Sequence, residues 1–220
     1  MLALAQPCEA KIVYTPAHRV IRQNSNFGLD LNHDGRTDFR LGFRYKLYTS
    51  GTNESIFVSP APGNEVEGAV GRREEFLAAA FRRGAKIPNR YRFAAAQARM
   101  AFFCAGSFCP DASGLYSGNW INVNNRYLGL KFKIHGQTHY GWARLSIQGA
   151  YFRFTGTLTG YAYETIPGKA IVAGQTKSPD DIVEGPDAAL TAPTREPATL
   201  GALALGAPAL SIWRREERAS

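Results

Sequence analysis

The stretch Phe39-Arg40-Leu41-Gly42-Phe43-Arg44-Tyr45-Lys46-Leu47 decides the fold class. Its apolar residues stand at every second position, with Arg, Gly and Lys between them. A period of two buries one face of a strand and wets the other, whereas an amphipathic helix needs a spacing near 3.6. Leu128, Leu130, Phe132 and Ile134, separated by Gly129, Lys131 and Lys133, repeat the pattern. Ile12-Val13-Tyr14 is a further β-prone run closed by Pro16, and Ile56 with Val58 forms another, stopped by Pro60 and Pro62. After a turn at His135-Gly136-Gln137, Tyr140 and Trp142 open a strand that Leu145 and Ile147 continue out of phase, which points to a bulge there. Phe152 with Phe154 and Tyr161 with Tyr163 follow. Successive strands with short turns predict an all-β body, an antiparallel β-sandwich.

The rest of the chain is read around that body. In 220 residues, 45% are apolar and 12% aromatic, too many for a disordered chain. No run of eighteen apolar residues occurs, which excludes a polytopic membrane protein. Residues 1–10, MLALAQPCEA, read as the remnant of a signal peptide with a small-x-Ala cleavage site. The body spans 11–176. Within it, Glu74 to Arg82 and then Ala94 to Met100 have helical composition, so a short helical insertion is expected near 70–100. Residues 177–197 are a linker rich in Pro, Asp and Ala. Residues 198–213 are almost wholly apolar and run into an Arg/Glu cluster. As a helix they would be ~24 Å long, short of the ~30 Å bilayer core.

The most specific local motif is Asp30-Leu31-Asn32-His33-Asp34-Gly35-Arg36-Thr37-Asp38. Oxygen side chains stand at positions one, three, five and nine, and glycine at six allows a sharp turn. Calcium takes six to eight oxygens in flexible geometry, and this spacing wraps them about one point. Asp30, Asn32 and Asp34 would ligate by side chain, Arg36 by its carbonyl, and Asp38 directly or through water. Leu41 occupies the position where an EF-hand has its bidentate Glu. The loop is similar to the calcium loops of extracellular β proteins.

Cys104 and Cys109 are close enough to close a small disulfide ring in an oxidising compartment, the alternative being two buried thiols. The net charge of +8 is uneven. Residues 1–100 carry fifteen Lys/Arg against nine Asp/Glu, residues 101–177 seven against two, and residues 178–220 four against seven. Arg72-Arg73 and Arg82-Arg83 stand in pairs, but no nucleic-acid motif accompanies them, so a nucleic-acid partner is not expected. There is no G-x-S-x-G, H-E-x-x-H or P-loop, and no catalytic residue is assigned. Tyr140, Trp142, Tyr161 and Tyr163 read as sheet packing. The alternative is a stacking platform for a sugar ring.

Glu196-Pro197-Ala198, the apolar stretch, and Arg214-Arg215 at the C-terminal end resemble the PEP-CTERM sorting signal of Gram-negative bacteria. Tyr127 to Phe132, His139 to Leu145 and Gly160 to Glu164 also look like the body that often carries such a tail. The resemblance implies export, an exosortase-type processing enzyme as partner, and transient anchoring in the inner membrane. The expected protein is therefore a calcium-stabilised envelope or extracellular-matrix protein of structural or adhesive role and not an enzyme. A carbohydrate-binding module on extracellular polysaccharide stands second and a glycoside-active enzyme third.

Overall fold

The computed structural model describes residues 11–107, 109, 115–150 and 153–178. Among the described residues every regular element is a strand. These are β1 (Ile12–Ile21), β2 (Ser25–Leu29), β3 (Phe39–Tyr48), β4 (Gly51–Pro60), β5 (Glu65–Val70), β6 (Phe76–Ala78) and β7 (Lys86–Ile87). The chain continues with β8 (Arg92–Ala94), β9 (Ala98–Gly106), β10 (Leu115–Ser117), β11 (Val123–Ile134), β12 (Gln137–Ala150), β13 (Arg153–Glu164) and β14 (Ile171–Val172). The all-β class holds. The strands hydrogen-bond along one path, β1-β13-β12-β11-β5-β6-β9-β4-β3-β2, with β10 on β9 and β8 on β5, while β7 and β14 form a separate ribbon. The pairings are antiparallel except for β6 with β9, which run parallel at Leu77↔Arg99. Edge strand β1 touches β2 and β3 at the far end of the path, so the sheet curls until it is nearly barrel-shaped.

Alternation explains the interior. Phe39, Leu41 and Phe43 of β3 meet Leu128, Leu130 and Phe132 of β11 and Ala143, Leu145 and Ile147 of β12 in one core. The opposite face of β11, β12 and β13 is also dry: Tyr127, Trp142 and Ala162 pack with Ile12, Phe81, Ile87 and Ile171. Ile87 and Ile171 lie on β7 and β14, so the ribbon covers this outer face.

The phase change expected in β12 lies in β13. Alternation in β12 runs unbroken, with Trp142 in the outer cluster and Ala143, Leu145 and Ile147 in the inner core. The register steps from Arg144↔Gly160 to Leu145↔Leu158, which leaves Thr159 as the extra residue. A bulge of one residue reverses which side chains face inward, so Leu158 and Tyr161, three apart, share the inner core. The Arg144 Nε–H donates to Thr159 Oγ1 at 2.7 Å and its Nη2 to the Thr159 carbonyl at 3.2 Å, pinning the bulge. Pro16 does not close β1 either. The strand continues to Ile21 past an irregularity between Pro16 and Arg19. An edge strand tolerates the missing N–H there.

The helical insertion near 70–100 is absent. Glu74 adopts φ +61 in a turn, β6 pairs with β5 through Gly68↔Ala78, and β7, β8 and β9 occupy the rest. Helix propensity is a weak prior that tertiary partners override. Here the Ala78 carbonyl accepts from Trp120 Nε1 at 3.2 Å and Asn119 Nδ2 at 3.1 Å, bonds that an internal helical ladder would displace.

Candidate metal loop and cleft

Residues 30–38 join β2 to β3. The base of the loop is closed by Asp38, whose N–H donates to the Leu29 carbonyl at 2.8 Å and whose Oδ2 accepts the Leu31 N–H at 2.8 Å. Leu31 is fully buried and anchors the loop in the core. His33 at φ +59 and Gly35 at φ +84 supply the left-handed turns. Asp30 accepts the Gly35 N–H at 2.8 Å and the Asp34 N–H at 3.3 Å, and Asp34 accepts the Arg36 N–H at 2.8 Å. Asn32 Nδ2 donates to Asp34 Oδ2 at 3.2 Å, while Asn32 Oδ1 is buried with no hydrogen-bond partner in the protein. That orphan acceptor, in one loop with the Asp30 and Asp34 carboxylates, suits a hard cation with oxygen ligands.

Asp38 is placed differently from its three companions. Its second oxygen accepts Asn64 Nδ2 at 3.2 Å, so both oxygens are engaged in holding the loop. Among the described residues no three His, Cys, Asp or Glu side chains form a group able to hold a metal ion. The loop's own hydrogen bonds thus link two carboxylates, Asp30 and Asp34, with the Asn32 amide. Burial pushes the Asp38 carboxyl above its ordinary value, and the charges of Asp30 and Asp34 push the same way. The Arg36 N–H and the Asn32 amide hold Asp34 below its ordinary value.

Asn64 was not legible as a site residue. It follows the turn Pro60-Ala61-Pro62-Gly63, and no spacing connects it to the loop. It is buried, donates to the Asp38 carbonyl as well as to its side chain, and accepts the Lys133 N–H at 3.1 Å, tying the loop to β11. Beside it opens a cleft of about 680 Å³, whose lining includes Asp34, Asp38, Asn64, Lys133 and His135. His135 and Gly136, both at positive φ, form the two-residue turn between β11 and β12. His139 lies apart, buried, with Nδ1 3.0 Å from the Glu164 carbonyl.

The four aromatics do not make an open platform. Trp142 and Tyr161 are buried, Tyr140 and Tyr163 half-buried, and the pairs sit on opposite faces: Tyr140 with the outer cluster, Tyr161 and Tyr163 with the inner core. Cys104 and Cys109 are joined in a disulfide with Cα atoms 6.0 Å apart, within the ordinary span. Glu196, Pro197, Arg214 and Arg215, like residues 1–10 and the greater part of the linker, lie outside the described residues. The chain matches no family model, no curated protein and no solved structure.

Proposed function

We propose that this is an exported, calcium-stabilised protein of the cell envelope or extracellular matrix, with a structural or adhesive role. The observation that carries the calcium reading is the buried, unpartnered Asn32 Oδ1 in the Asp30–Asp38 loop. Asp30, Asn32, Asp34 and the Arg36 carbonyl would hold the ion, with Asp38 bracing the loop or reaching the ion through water. The ion would neutralise crowded carboxylates where the loop meets the sheet. The Cys104–Cys109 disulfide supports an oxidising compartment. The resemblance of residues 196–218 to a PEP-CTERM signal supports transient inner-membrane anchoring and an exosortase-type partner. The finer architecture proposed is a sandwich whose layers are the β1-β13-β12-β11 and β9-β4-β3-β2 arms of the sheet. Glu54 Oε2 of β4 supports this by accepting the Phe154 N–H of β13 at 2.8 Å across the core.

Thermal melting of the full chain in excess calcium and in EDTA tests the metal. A ligand at a hundred times its Kd adds about 2.7 kcal/mol. For a chain of this size that raises Tm by about 5–10 °C. Asp30→Ala removes the shift. Identical melting curves in calcium and in EDTA would leave the loop as a turn held by its own hydrogen bonds.

A further inference from the structure

Residues 76–107 contain Arg82, Arg83, Lys86, Arg90, Arg92 and Arg99 and no Asp or Glu. Arg99 pairs with Glu75 at 3.7 Å, as Lys131 pairs with Glu65 and Lys169 with Glu164. The other five cations are exposed, and among the described residues none of them is in an ion pair. A face that serves solubility needs only scattered charges of both signs. Around Arg90 and Arg92 the cations are held in place, with exposed Glu74 in the neighbouring β5–β6 turn.

The holding is specific. β8 is hydrogen-bonded along β5 in the register Val66↔Ala94, Glu67↔Phe93 and Gly68↔Arg92. The segment before β8 is fastened from beneath by the buried Glu67 carboxylate, which accepts the Asn89 N–H at 2.6 Å. Asn89 in turn accepts the Arg90 N–H at 2.8 Å. Where the segment before β8 parts from the end of β5 lies a shallow groove of about 340 Å³ lined by Gly68, Ala69, Val70, Arg90, Tyr91 and Arg92. Gly68 lies tight against β6, where a Cβ would strike the Leu77 carbonyl. Val70 and Tyr91 are 48% and 38% exposed, and the Arg90 guanidinium stands 5.5 Å over the Tyr91 ring. Past Val70 the β5–β6 turn continues the line with exposed Arg72 and Arg73.

We infer that this groove binds an acidic polysaccharide, a polymer of uronic acid residues. The apolar floor and Tyr91 suit the flat face of a pyranose ring. The Arg90 and Arg92 forks, both on the β8 side, suit carboxylates that recur along the chain. A single exposed aromatic is a poor platform for successive unstacked bases. A shallow groove rimmed by arginine, with Val70 and Tyr91 its exposed apolar side chains, lacks the broad apolar face that enters a bilayer. The sugar over the nucleic acid also rests on the exported reading above, which fractionation of the host cell tests separately.

The test is the affinity of the full chain for an oligogalacturonate of defined length at low salt. Neutral dextran oligomers, duplex DNA and phosphatidylglycerol vesicles are run in parallel. The expected result is binding to oligogalacturonate above all three, weakening steeply as ionic strength rises to about 0.5 M. The double variant Arg90→Gln with Arg92→Gln should bind about tenfold more weakly, and Arg40→Gln with Arg44→Gln on β3 as the parent does. Arg72→Gln with Arg73→Gln, in an exposed turn, gives a second variant if the first melts early. Undiminished binding by both groove variants, absence of oligogalacturonate binding, or equal affinity for DNA or vesicles would overturn the assignment.

Discussion

The β11–β12–β13–β1 arm and the patch around β5, β6 and β8 hold together in different ways. In the arm, ladders are long, and around Trp142 both faces of β12 are buried by alternating side chains. In the patch, β6 and β8 are three residues each, and β5 meets β11 only at Leu130↔Val66 and Lys131↔Glu65. Backbone pairing there is supplemented by individual side chains: Trp120 and Asn119 on the Ala78 carbonyl, Glu67 on the Asn89 N–H. Hydrophobic alternation tolerates loss of one partner by degree. A buried polar side chain with one partner is all or nothing.

The largest expected difference is in pH dependence. Burial pushes the Glu67 carboxyl from 4.5 up to about 7, against the pull of the Asn89 N–H. The folded chain therefore keeps a proton that the unfolded chain releases. Stability is full below the unfolded pKa and falls as pH rises towards and through 7. The loss through this one group is about 3 kcal/mol. Asp38 and Glu54, raised by burial too, add to the parent's slope in the same sense. Urea unfolding at pH 5 and pH 8 should show a smaller drop for Glu67→Gln than for the parent. Equal drops would mean that the patch does not depend on this carboxylate.

A second comparison sets the two buried tryptophans against each other. Trp120 Nε1 donates to Ala78, whereas Trp142 Nε1 has no partner in the protein. Trp120→Phe should cost about 1–1.5 kcal/mol more than Trp142→Phe, the net value of the lost bond, the Ala78 carbonyl keeping the Asn119 amide. The reverse order in denaturant titrations would erase the distinction between patch and arm. Smallest is Arg144→Ala in the arm, which frees the Thr159 bulge at about 1 kcal/mol. Amide exchange should quicken near residues 158–161 while the ladder from Leu128 to Ile134 stays protected. Exchange quickening along all of β11 would show that the bulge is coupled to the whole arm.

The same contrast explains what could be read from the chain. In β3 and β11 the alternation is clean because glycine and basic residues stand between the core residues, and there period alone finds the strand. From Glu74 to Met100 the alanines suit helix and tight sheet packing equally. What selects sheet is distant, the approach of Gly68 to the Leu77 carbonyl and the reach of Trp120 to Ala78. At the loop, spacing identified Asp30, Asn32 and Asp34 as companions. It did not show that Asp38 braces the base, because Asn64 arrives from another turn. Phe154, Leu158 and Tyr161 did carry the signal of a bulge, an even-to-odd switch that falls in β13 and not in β12.

β1 has a consequence for how the chain is born. Ile12 pairs with Glu164 and Ile21 with Gly156, so the first strand has its ladder partner in the last long one. A chain made or threaded from its N-terminus carries β1 without that partner until nearly the whole body has emerged. Such closure is slow, because the entropy of the intervening loop must be overcome before the pairing contributes. An unpaired strand in that interval is a template for the wrong neighbour. The bent course of β1 at Pro16 and the basic residues Arg19 and Arg22 near its end are the features that discourage edge-to-edge pairing. The irregularity that breaks the ladder in the finished protein thus guards the nascent one.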